Sequence, residues 1–341
     1  MAKKSFSTLL LRLVVLGVIA AVAVGAVAYW QFKGNAVKED IDLYISHKTD
    51  YQGLCDSLFS KINHHLAFEL YAKRLNLEQS FKPGYYRITR PTSVVRLVRM
   101  LKLGEQTPIK LTINNVRTTP QLAGKLAAQL DVDSVEMLRV LEDPATAKRV
   151  GETPKSLFSI FLPDTYSVYW TTTPDELIDR MKREWDAFWT KDRELQRRLA
   201  GLSRLEVMTL ASIVYEETRQ TAEMNRVAGV YMNRLKKGMK LQADPTVKYA
   251  MQDFGLRRIL HKHLKYDSPY NTYLYKGLPP TPICMPGKNA INAVLTYERH
   301  NYLYFCARPT FDGFHNFAVT YDEHLKNARA YSAELNRRKI K

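Results

Sequence analysis

Residues 205–218 read LEVMTLASIVYEET, a largely apolar run that ends on two adjacent carboxylates. The helix predicted here turns by about 100° per residue, which places Ile213, Val214 and Glu217 on one face. Glu216 falls on a different face and is predicted to point to solvent or to a flank. A carboxyl group at the end of an apolar stripe is partly desolvated, so its pKa rises and it can hold a proton near neutral pH, as a general acid must. On the helix alone, an ordinary helix-end ion pair is the simpler explanation of Glu217.

The segments that follow this helix consist largely of polar and aromatic loops. A second helix, Ala222–Lys237, ends at Gly238, and the polar segment Leu241–Thr246 then shows no strand or helix pattern. Two loops, 268–273 and 277–287, are dense in Tyr, Asn, Thr and Pro. Aromatic faces and neutral hydrogen-bonding groups on rigid loops suit a sugar polymer, because rings stack and hydroxyls pair. The prolines alone are equally compatible with a structural scaffold.

The order and spacing of these motifs resemble the endolytic murein transglycosylase (YceG-like) family. The residues that carry the resemblance are ASIVYEET at 211–218, VYMNRL at 230–235, LQADPTV at 241–247, YNTY at 270–273, GLPP at 277–280, YLYF at 302–305, HNF at 315–317 and, upstream, FLPDTY at 161–166. The chain departs from the family pattern where Tyr215 replaces the first glutamate of ASIVEKE, so that position cannot be the indispensable one. The last glutamate of the motif is Glu217. Thr281 replaces a glycine in the family's GLPPGPI.

The resemblance implies an enzyme that cuts peptidoglycan within a glycan strand, between N-acetylmuramic acid and N-acetylglucosamine, and leaves a 1,6-anhydro end. It implies action on nascent strands as a terminator of elongation, and peptidoglycan synthases as candidate partners. Glu217 is the expected catalytic residue, with no cofactor and no metal. The candidate substrate-binding residues are Gln242, Asp244, Tyr270, Asn271, Thr272 and Tyr273. For Asp244, orientation of a loop, stabilisation of an oxocarbenium-like transition state and helix capping all stay open.

Two other functions fit the same residues. One is a non-catalytic wall-binding scaffold. The other is a water-using muramidase, which needs a second carboxylate, and Asp244 is the best candidate for it. A metal hydrolase is disfavoured because His261 and His263 lack the H-E-x-x-H spacing.

The N-terminal sequence predicts the compartment. An uninterrupted apolar run from Leu13 to Trp30 follows Lys3, Lys4 and Arg12. As a helix this run spans roughly 27 Å, close to the thickness of a bilayer's hydrocarbon core. Positive charge before the run predicts a cytoplasmic N-terminus and an extracytoplasmic remainder, held at the inner membrane by one span. A cleavable signal peptide is the alternative, because Ala26-Val27-Ala28 resembles a cleavage site.

The predicted fold class is α+β, with several regions along the chain. Strands are predicted at 41–45, 85–88 and 109–113, and a long charged helix at Asp175–Leu199. The predicted regions are a tip and anchor at 1–30, a linker at 31–40, a small α+β module at 41–104, a connecting α+β region at 105–200 and a catalytic domain at 201–341. In the family that this sequence resembles, the small module is LysM-like.

Composition limits the partners. The 341 residues include 51 Lys and Arg against 34 Asp and Glu, a formal charge of +17. Such an excess favours anionic lipid surfaces, acidic wall polymers or nucleic acid. Nucleic acid is not expected, because the chain shows no zinc-finger spacing and no RNA-binding aromatic signature. Cys55, Cys284 and Cys306 are too few and scattered for a metal site or a disulfide scaffold, although pairing of Cys284 with Cys306 stays open.

Overall fold

The structure, a computed structural model, describes residues 2–256 and 258–338, so Met1 of the predicted anchor and 339–341 of the predicted catalytic domain lie outside it. The chain divides into two compact units. The first comprises the described residues up to Lys110 together with Ser167–Thr172, and the second comprises Leu111–Tyr166 and the described residues from Thr173 onwards. Helices and two-stranded sheets occur together, which confirms the predicted α+β class.

The first unit contains one long apolar helix and a small α+β module. Its elements are α1 (Ala2–Lys33), β1 (Ile41–Ile45), α2 (Tyr51–Phe59), α3 (His65–Arg74), β2 (Gly84–Ile88) and α4 (Val94–Leu103). The next strands along the chain, β3 (Ile109–Ile113) and β4 (Asp164–Val168), pair with each other, and the division between the units falls within both.

Helix α1 is long and apolar enough to cross a membrane. The segment Leu10–Lys33 has 24 residues, with a mean hydropathy of 2.6 in its most apolar window, and no part of that window is buried in the protein. The helix extends three residues beyond Trp30, the predicted end of the anchor. An apolar helix that is fully exposed to water lacks the stabilisation that burial gives. The length and composition of α1 fit a single-pass membrane anchor.

The core of the first unit lies between the β1–β2 pair and the helices. The two strands are antiparallel, with Leu43 opposite Tyr86, and the residues of β1 alternate between buried and exposed. Helix α4 begins after Ser93, whose side chain accepts a hydrogen bond from a backbone N–H in its first turn, and it ends at Gly104 in the left-handed region. The predicted linker 31–40 is packed into this unit, since Ala36 is fully buried and its N–H donates to a backbone carbonyl 2.7 Å away.

The second unit is mainly helical. Its elements are α5 (Thr119–Ala127), α6 (Ser134–Glu142), α7 (Pro144–Arg149), α8 (Pro154–Leu157), α9 (Pro174–Phe188), α10 (Lys191–Ala200), α11 (Arg204–Glu217), α12 (Thr221–Lys236), α13 (Asp244–Met251), α14 (Lys288–Leu295), β5 (Tyr304–Ala307), β6 (His315–Ala318) and α15 (Tyr321–Arg337). Strands β5 and β6 form an antiparallel hairpin, and α15 packs against both.

Helix α11 is the central element of the second unit. Every residue from Val207 to Val214 is buried, and α12, α13 and α14 all contact the helix. Its small polar residues are satisfied internally: the Ser212 hydroxyl donates to the carbonyl of Thr209 (2.7 Å) and accepts from the N–H of Ile283 (3.0 Å). The helix is therefore buried on all sides and does not present the single apolar stripe that was predicted.

Two predicted elements differ from the structure. The single helix at Asp175–Leu199 is two helices, α9 and α10, because Trp189 leaves the helical region and the Thr190 side chain caps the N-terminus of α10. The segment 241–246, predicted to be irregular, already contains the first turn of α13, which begins at Asp244. Both boundaries depend on single residues that interrupt or begin a helix, and a pattern of apolar residues does not show them.

Candidate functional site

Glu217 is the last residue of α11, so a rigid, buried helix fixes its position. The capping box formed by Ser203 and Glu206 holds the other end of that helix. Thr218 is extended, with φ −140° and ψ 139°, and the chain turns away immediately after the carboxyl group. The end of α11 therefore presents Glu217 at an edge of the core.

The carboxyl of Glu217 is desolvated and receives one strong hydrogen bond. The hydroxyl of Tyr231, on α12, donates to its Oε1 atom across 2.7 Å. Burial raises the pKa of Glu217 to about 7, and the negative charge of Asp244 adds to the rise. The Tyr231 hydrogen bond and the positive charge of Arg234 act in the opposite direction but do not cancel the effect of burial. Near neutral pH this group can therefore both donate and accept a proton.

A pocket of about 440 Å³ opens beside this carboxyl group. Pockets of this size hold small ligands or a few units of a polymer. Its lining is polar and aromatic rather than aliphatic, and consists of Glu217, Tyr231, Arg234, Leu241, Gln242, Asp244, Tyr273, Tyr304, Phe305, Cys306, Ala307, His315, Tyr321 and His324.

Arg234 links three walls of the pocket. Its Nε donates to the carbonyl of Leu303 (2.6 Å), and its Nη1 donates to the carbonyl of Leu241 (2.7 Å). The guanidinium lies over the ring of Tyr304, 5.2 Å from its centre. A nearly buried arginine with these contacts ties α12 to the segment before α13 and to strand β5, and it supplies positive charge beside Glu217.

Three of the predicted site residues join Glu217 in the pocket. Gln242 is exposed and has a left-handed backbone (φ 51°), and its N–H donates to the carbonyl of Thr272 (3.1 Å). Tyr273 donates its hydroxyl proton to the carboxylate of Asp244, with a distance of 2.6 Å. Burial and the Asp244 charge raise the pKa of Tyr273, so this hydroxyl stays protonated and keeps its hydrogen bond to Asp244. Asp244 is the first residue of α13, where a carboxylate is favoured by the helix dipole.

The other three predicted residues do not line the pocket. Asn271 is fully buried, and its side-chain amide donates to the carbonyls of Leu264 (3.0 Å) and Tyr266 (2.8 Å). Thr272 is also buried, where its hydroxyl accepts the N–H of Ala243 at 3.0 Å. The polar atoms of both residues hold the loops together, and substrate contact by either residue stays a prediction.

Tyr270 is partly buried and lies outside the pocket lining. Its hydroxyl is 2.6 Å from the hydroxyl of Thr281, and its ring packs against Tyr249 with 4.8 Å between centres. The hydroxyl contact joins the loops 268–273 and 277–287, and the substrate-binding role of Tyr270 stays a prediction. The sequence showed a loop rich in polar residues, but it could not show which side chains turn inwards.

Several pocket residues were not predicted. Tyr231 and Arg234 come from α12, and Leu241 precedes α13. Seven more come from the β5–β6 hairpin and α15, more than eighty residues after Glu217: Tyr304, Phe305, Cys306, Ala307, His315, Tyr321 and His324. A signal was present for most of them, because the motifs at 230–235, 302–305 and 315–317 belong to the family resemblance. The helical register of α11 gave no information about these distant segments.

Glu216 faces the other side of α11 and forms an ion pair. Both of its carboxylate oxygens accept from Nη2 of Arg117, at 3.0 and 3.2 Å. The Glu216 side chain is 16% exposed, and the pair borders a small cavity of about 50 Å³. Of the two directions predicted for Glu216, solvent or a flank, the side chain takes the flank, and the helix-end ion pair considered for Glu217 belongs to Glu216.

Within the part of the chain that the structure describes, no group of three or more His, Cys, Asp or Glu side chains is placed to hold a metal ion. Cys55 and Cys284 are buried and Cys306 is partly buried, and all three are free thiols.

These features define an acid–base site: one carboxyl with a pKa near neutrality, in an open pocket with polar and aromatic walls. The YceG-like family matches residues 43–330, and the chain belongs to this family.

Named relatives and a solved structure agree with that membership. An endolytic murein transglycosylase of Bacillus subtilis (strain 168) is 28% identical over 287 residues, which cover 79% of this chain and 78% of that protein. One of Streptococcus pneumoniae (strain R6) is 30% identical over 310 residues, which cover 81% of this chain and 55% of that protein. The crystal structure of a YceG-like protein from Listeria monocytogenes, 28% identical, superimposes with a TM-score of 0.58 over 85% of this chain and 99% of its own.

Proposed function

We propose that this protein is a membrane-anchored lytic murein transglycosylase that cuts peptidoglycan strands internally, with Glu217 as its acid and base. The observation that carries the proposal is the Glu217 carboxyl, with a pKa near 7, at the wall of a polar and aromatic pocket. The names of the Bacillus and Streptococcus relatives support the choice of substrate.

The proposed reaction needs a single carboxyl group. Protonated Glu217 donates its proton to the glycosidic oxygen as the bond from that oxygen to the anomeric carbon of N-acetylmuramic acid breaks. The resulting carboxylate accepts the proton of the C6 hydroxyl of the same sugar, and that oxygen bonds to the anomeric carbon. A 1,6-anhydro ring closes, the N-acetylglucosamine fragment leaves with a free hydroxyl, and no water enters the bond.

The other pocket residues support this cycle. Tyr231 holds the carboxyl in one orientation and stabilises its ionised form, which the second half of the reaction uses. In the proposed cycle the carboxylate of Asp244, held by Tyr273, stabilises positive charge at an oxocarbenium-like transition state. Gln242 is exposed in the lining, and its amide can pair with an acetamido group. The partly exposed rings of Tyr304 and Phe305 line the pocket and can contact a sugar.

A water-using muramidase is the second candidate, because Asp244 lines the same pocket and its charge acts on Glu217. In that reaction Asp244 would act as base or nucleophile and the new ends would be reducing sugars. Mass spectrometry of products from purified glycan separates the two, since an anhydro end is lighter than a reducing end by one water. We expect anhydro ends; reducing muramic ends would establish the muramidase instead.

We further propose that the N-terminus is cytoplasmic and that residues 31–341 lie on the periplasmic side of the inner membrane. The basic residues that precede the apolar run support this orientation. A reporter fused to the C-terminus that is active only in the cytoplasm should stay silent. The mass of the protein recovered from membranes tests the signal-peptide alternative, because a chain cut after Ala28 would lack its first 28 residues.

The small module at 41–104 is proposed to be LysM-like and to hold glycan. An exposed aromatic cluster in the first unit supports binding to sugar rings: Tyr44 is 52% exposed, stacks on Tyr85 with 4.7 Å between centres and meets Trp170 edge-on at 5.1 Å. We expect Tyr44→Ala to weaken binding to insoluble wall material more than it slows cleavage of short soluble strands. Leu103→Ala, also exposed and outside this cluster, is the control. Equal loss of binding and cleavage would refute a separate binding role.

The family resemblance also supports action on nascent strands, which would end their elongation and bring the enzyme close to peptidoglycan synthases. Cells that carry only the Glu217→Gln protein should then contain longer glycan strands than cells with the parent protein. An unchanged length distribution would argue against a role as terminator.

A further inference from the structure

A groove of about 590 Å³ lies in the first unit where α1 ends. Helix α1 contributes Phe32 and Lys33, and α3 and α4 contribute further lining residues that include Leu70, Arg74, Val95 and Arg99. The groove is thus built from three helices of one compact unit, with apolar side chains and three cations in its walls.

The end of α1 is fixed against the rest of this unit. The ring of Trp30 meets His64 edge-on, with 4.6 Å between centres, and Phe32 meets Tyr71 at 6.2 Å. The N–H of Gly34 donates to the carbonyl of Trp30 (2.8 Å), which closes the last turn. An apolar segment that spans the bilayer as Leu10–Lys33 must leave the hydrocarbon at its last residues. The groove therefore lies at the level of the lipid headgroups.

The cations of the groove are available to a ligand. Lys33, Arg74 and Arg99 are exposed, and none forms an ion pair or a side-chain hydrogen bond with another residue in the described ranges 2–256 and 258–338. Elsewhere in α4, by contrast, Arg96 is paired with Glu105 at 2.5 Å. Three unpaired positive charges around one groove attract an anion.

The apolar side chains beside these cations are unusually exposed. On α3, Leu66 is 66% exposed and Leu70 is 55% exposed. Arg74 follows Leu70 by four residues, so all three side chains lie along one face of the helix. An apolar face bordered by arginine or lysine is typical of helices that lie in the headgroup region of a membrane. There the apolar residues and the aliphatic parts of the Arg and Lys side chains contact acyl chains, and the cationic groups contact phosphates.

We propose that this groove binds an anionic phospholipid of the bilayer that α1 crosses. The headgroup phosphate lies among Lys33, Arg74 and Arg99, and the start of the acyl chains lies against Phe32, Leu70 and Val95. Lipid binding holds the first unit against the membrane surface, in addition to the tether that α1 supplies. The site is separate from the Glu217 pocket and does not depend on the reaction proposed for it.

The test uses the full chain in a neutral detergent, with phosphatidylglycerol as the anionic probe and phosphatidylcholine as the zwitterionic comparison. Native mass spectrometry counts the lipids that the protein retains. The groove variant combines Lys33→Glu, Arg74→Glu and Arg99→Glu. The matched control reverses three exposed cations of the same unit outside the groove, by Lys48→Glu, Arg87→Glu and Lys110→Glu.

The parent chain and the control should retain phosphatidylglycerol in preference to phosphatidylcholine by about tenfold or more, because each of the three cations contributes a roughly fivefold preference for an anionic lipid. The groove variant should lose this preference while its thermal unfolding without lipid is unchanged. Equal retention by the groove variant and the parent would overturn the proposal, as would a parent chain without preference. Complete displacement of the lipid by inorganic phosphate would show a site for free phosphate rather than for a lipid.

Discussion

Glu216 and Glu217 are neighbours in sequence at the end of α11, yet they lie in opposite environments. Glu217 borders the large pocket, where burial raises its pKa to about 7. Glu216 borders the small cavity, where both of its oxygens accept hydrogen bonds from Arg117. A rotation of about 100° around one helix therefore separates a carboxyl that can exchange a proton from one that is held in an ion pair.

The comparison shows how a carboxylate becomes an acid or a structural ion. Both groups are partly removed from water, but only Glu216 has a cation within hydrogen-bonding distance. A paired carboxylate keeps its charge, whereas a carboxyl that is desolvated and receives only a neutral donor favours its protonated form. The difference lies in the partners that the fold supplies and not in the residue type.

The largest expected effect is on catalysis. Glu217→Gln keeps the size of the side chain but removes the proton, and loss of general acid catalysis typically costs about 10²–10⁴ in rate. We expect the upper end of that range, because the same group acts twice. Release of soluble fragments from purified glycan measures it. A Glu217→Gln protein that cleaves normally, or that fully restores cells lacking the enzyme, would favour the non-catalytic scaffold.

The next effect concerns stability: the substitution that removes activity should make the folded protein more stable at pH 8. The folded state raises the pKa of Glu217 from 4.5 to about 7, so the folded chain binds more protons than the unfolded chain between these values. The free energy of unfolding contributed by this group therefore falls as the pH rises through that window, by about 3 kcal/mol at most. Glu217→Gln cannot ionise, and it should be more stable than the parent at pH 8 and similar at pH 4. Denaturant unfolding at both pH values measures the difference.

Glu216→Gln is the matched control, and we expect it to lower stability while it leaves most of the activity intact. It breaks the ion pair and leaves Arg117 partly buried without its partner, which should lower the free energy of unfolding by about 1–2 kcal/mol at neutral pH. Most of the cleavage activity should remain, because Glu216 does not line the large pocket. The contrast between the two carboxyl groups fails if Glu216→Gln is inactive while it is still folded.

The smallest effect is a shift in the pH profile. The Tyr231 hydrogen bond lowers the pKa of Glu217, so Tyr231→Phe should raise that pKa and move the corresponding limb of the pH–rate profile to higher pH. The control is Tyr297→Phe, which removes a hydroxyl that accepts a hydrogen bond from Lys236, a residue of the same helix as Tyr231. This substitution should leave the pH–rate profile unchanged. A shift to lower pH in Tyr231→Phe would contradict the role given to this hydrogen bond.

The loops around the pocket show what polar composition alone can and cannot predict. Gln242, Asp244 and Tyr273 line the pocket, but Asn271 and Thr272 lie inside the loop structure. All five are polar or aromatic residues in segments where the sequence shows no periodicity, so the sequence does not assign a direction to each side chain. The direction depends on which backbone groups the folded loop leaves without partners, and Asn271 satisfies two of them.

The sequence by itself determined the apolar helix near the N-terminus, the strands of the small module and the helix that ends on Glu217. These elements depend on local properties: hydrophobic periodicity, capping residues and helix-terminating glycines. Only the tertiary structure decided which groups surround the carboxyls of Glu216 and Glu217. Arg117 reaches Glu216 across 99 positions of the chain, and the hairpin and last helix bring His315, Tyr304 and His324 to the pocket of Glu217. A pKa is set by burial and by nearby charges, and both arise from contacts between segments that are distant in sequence.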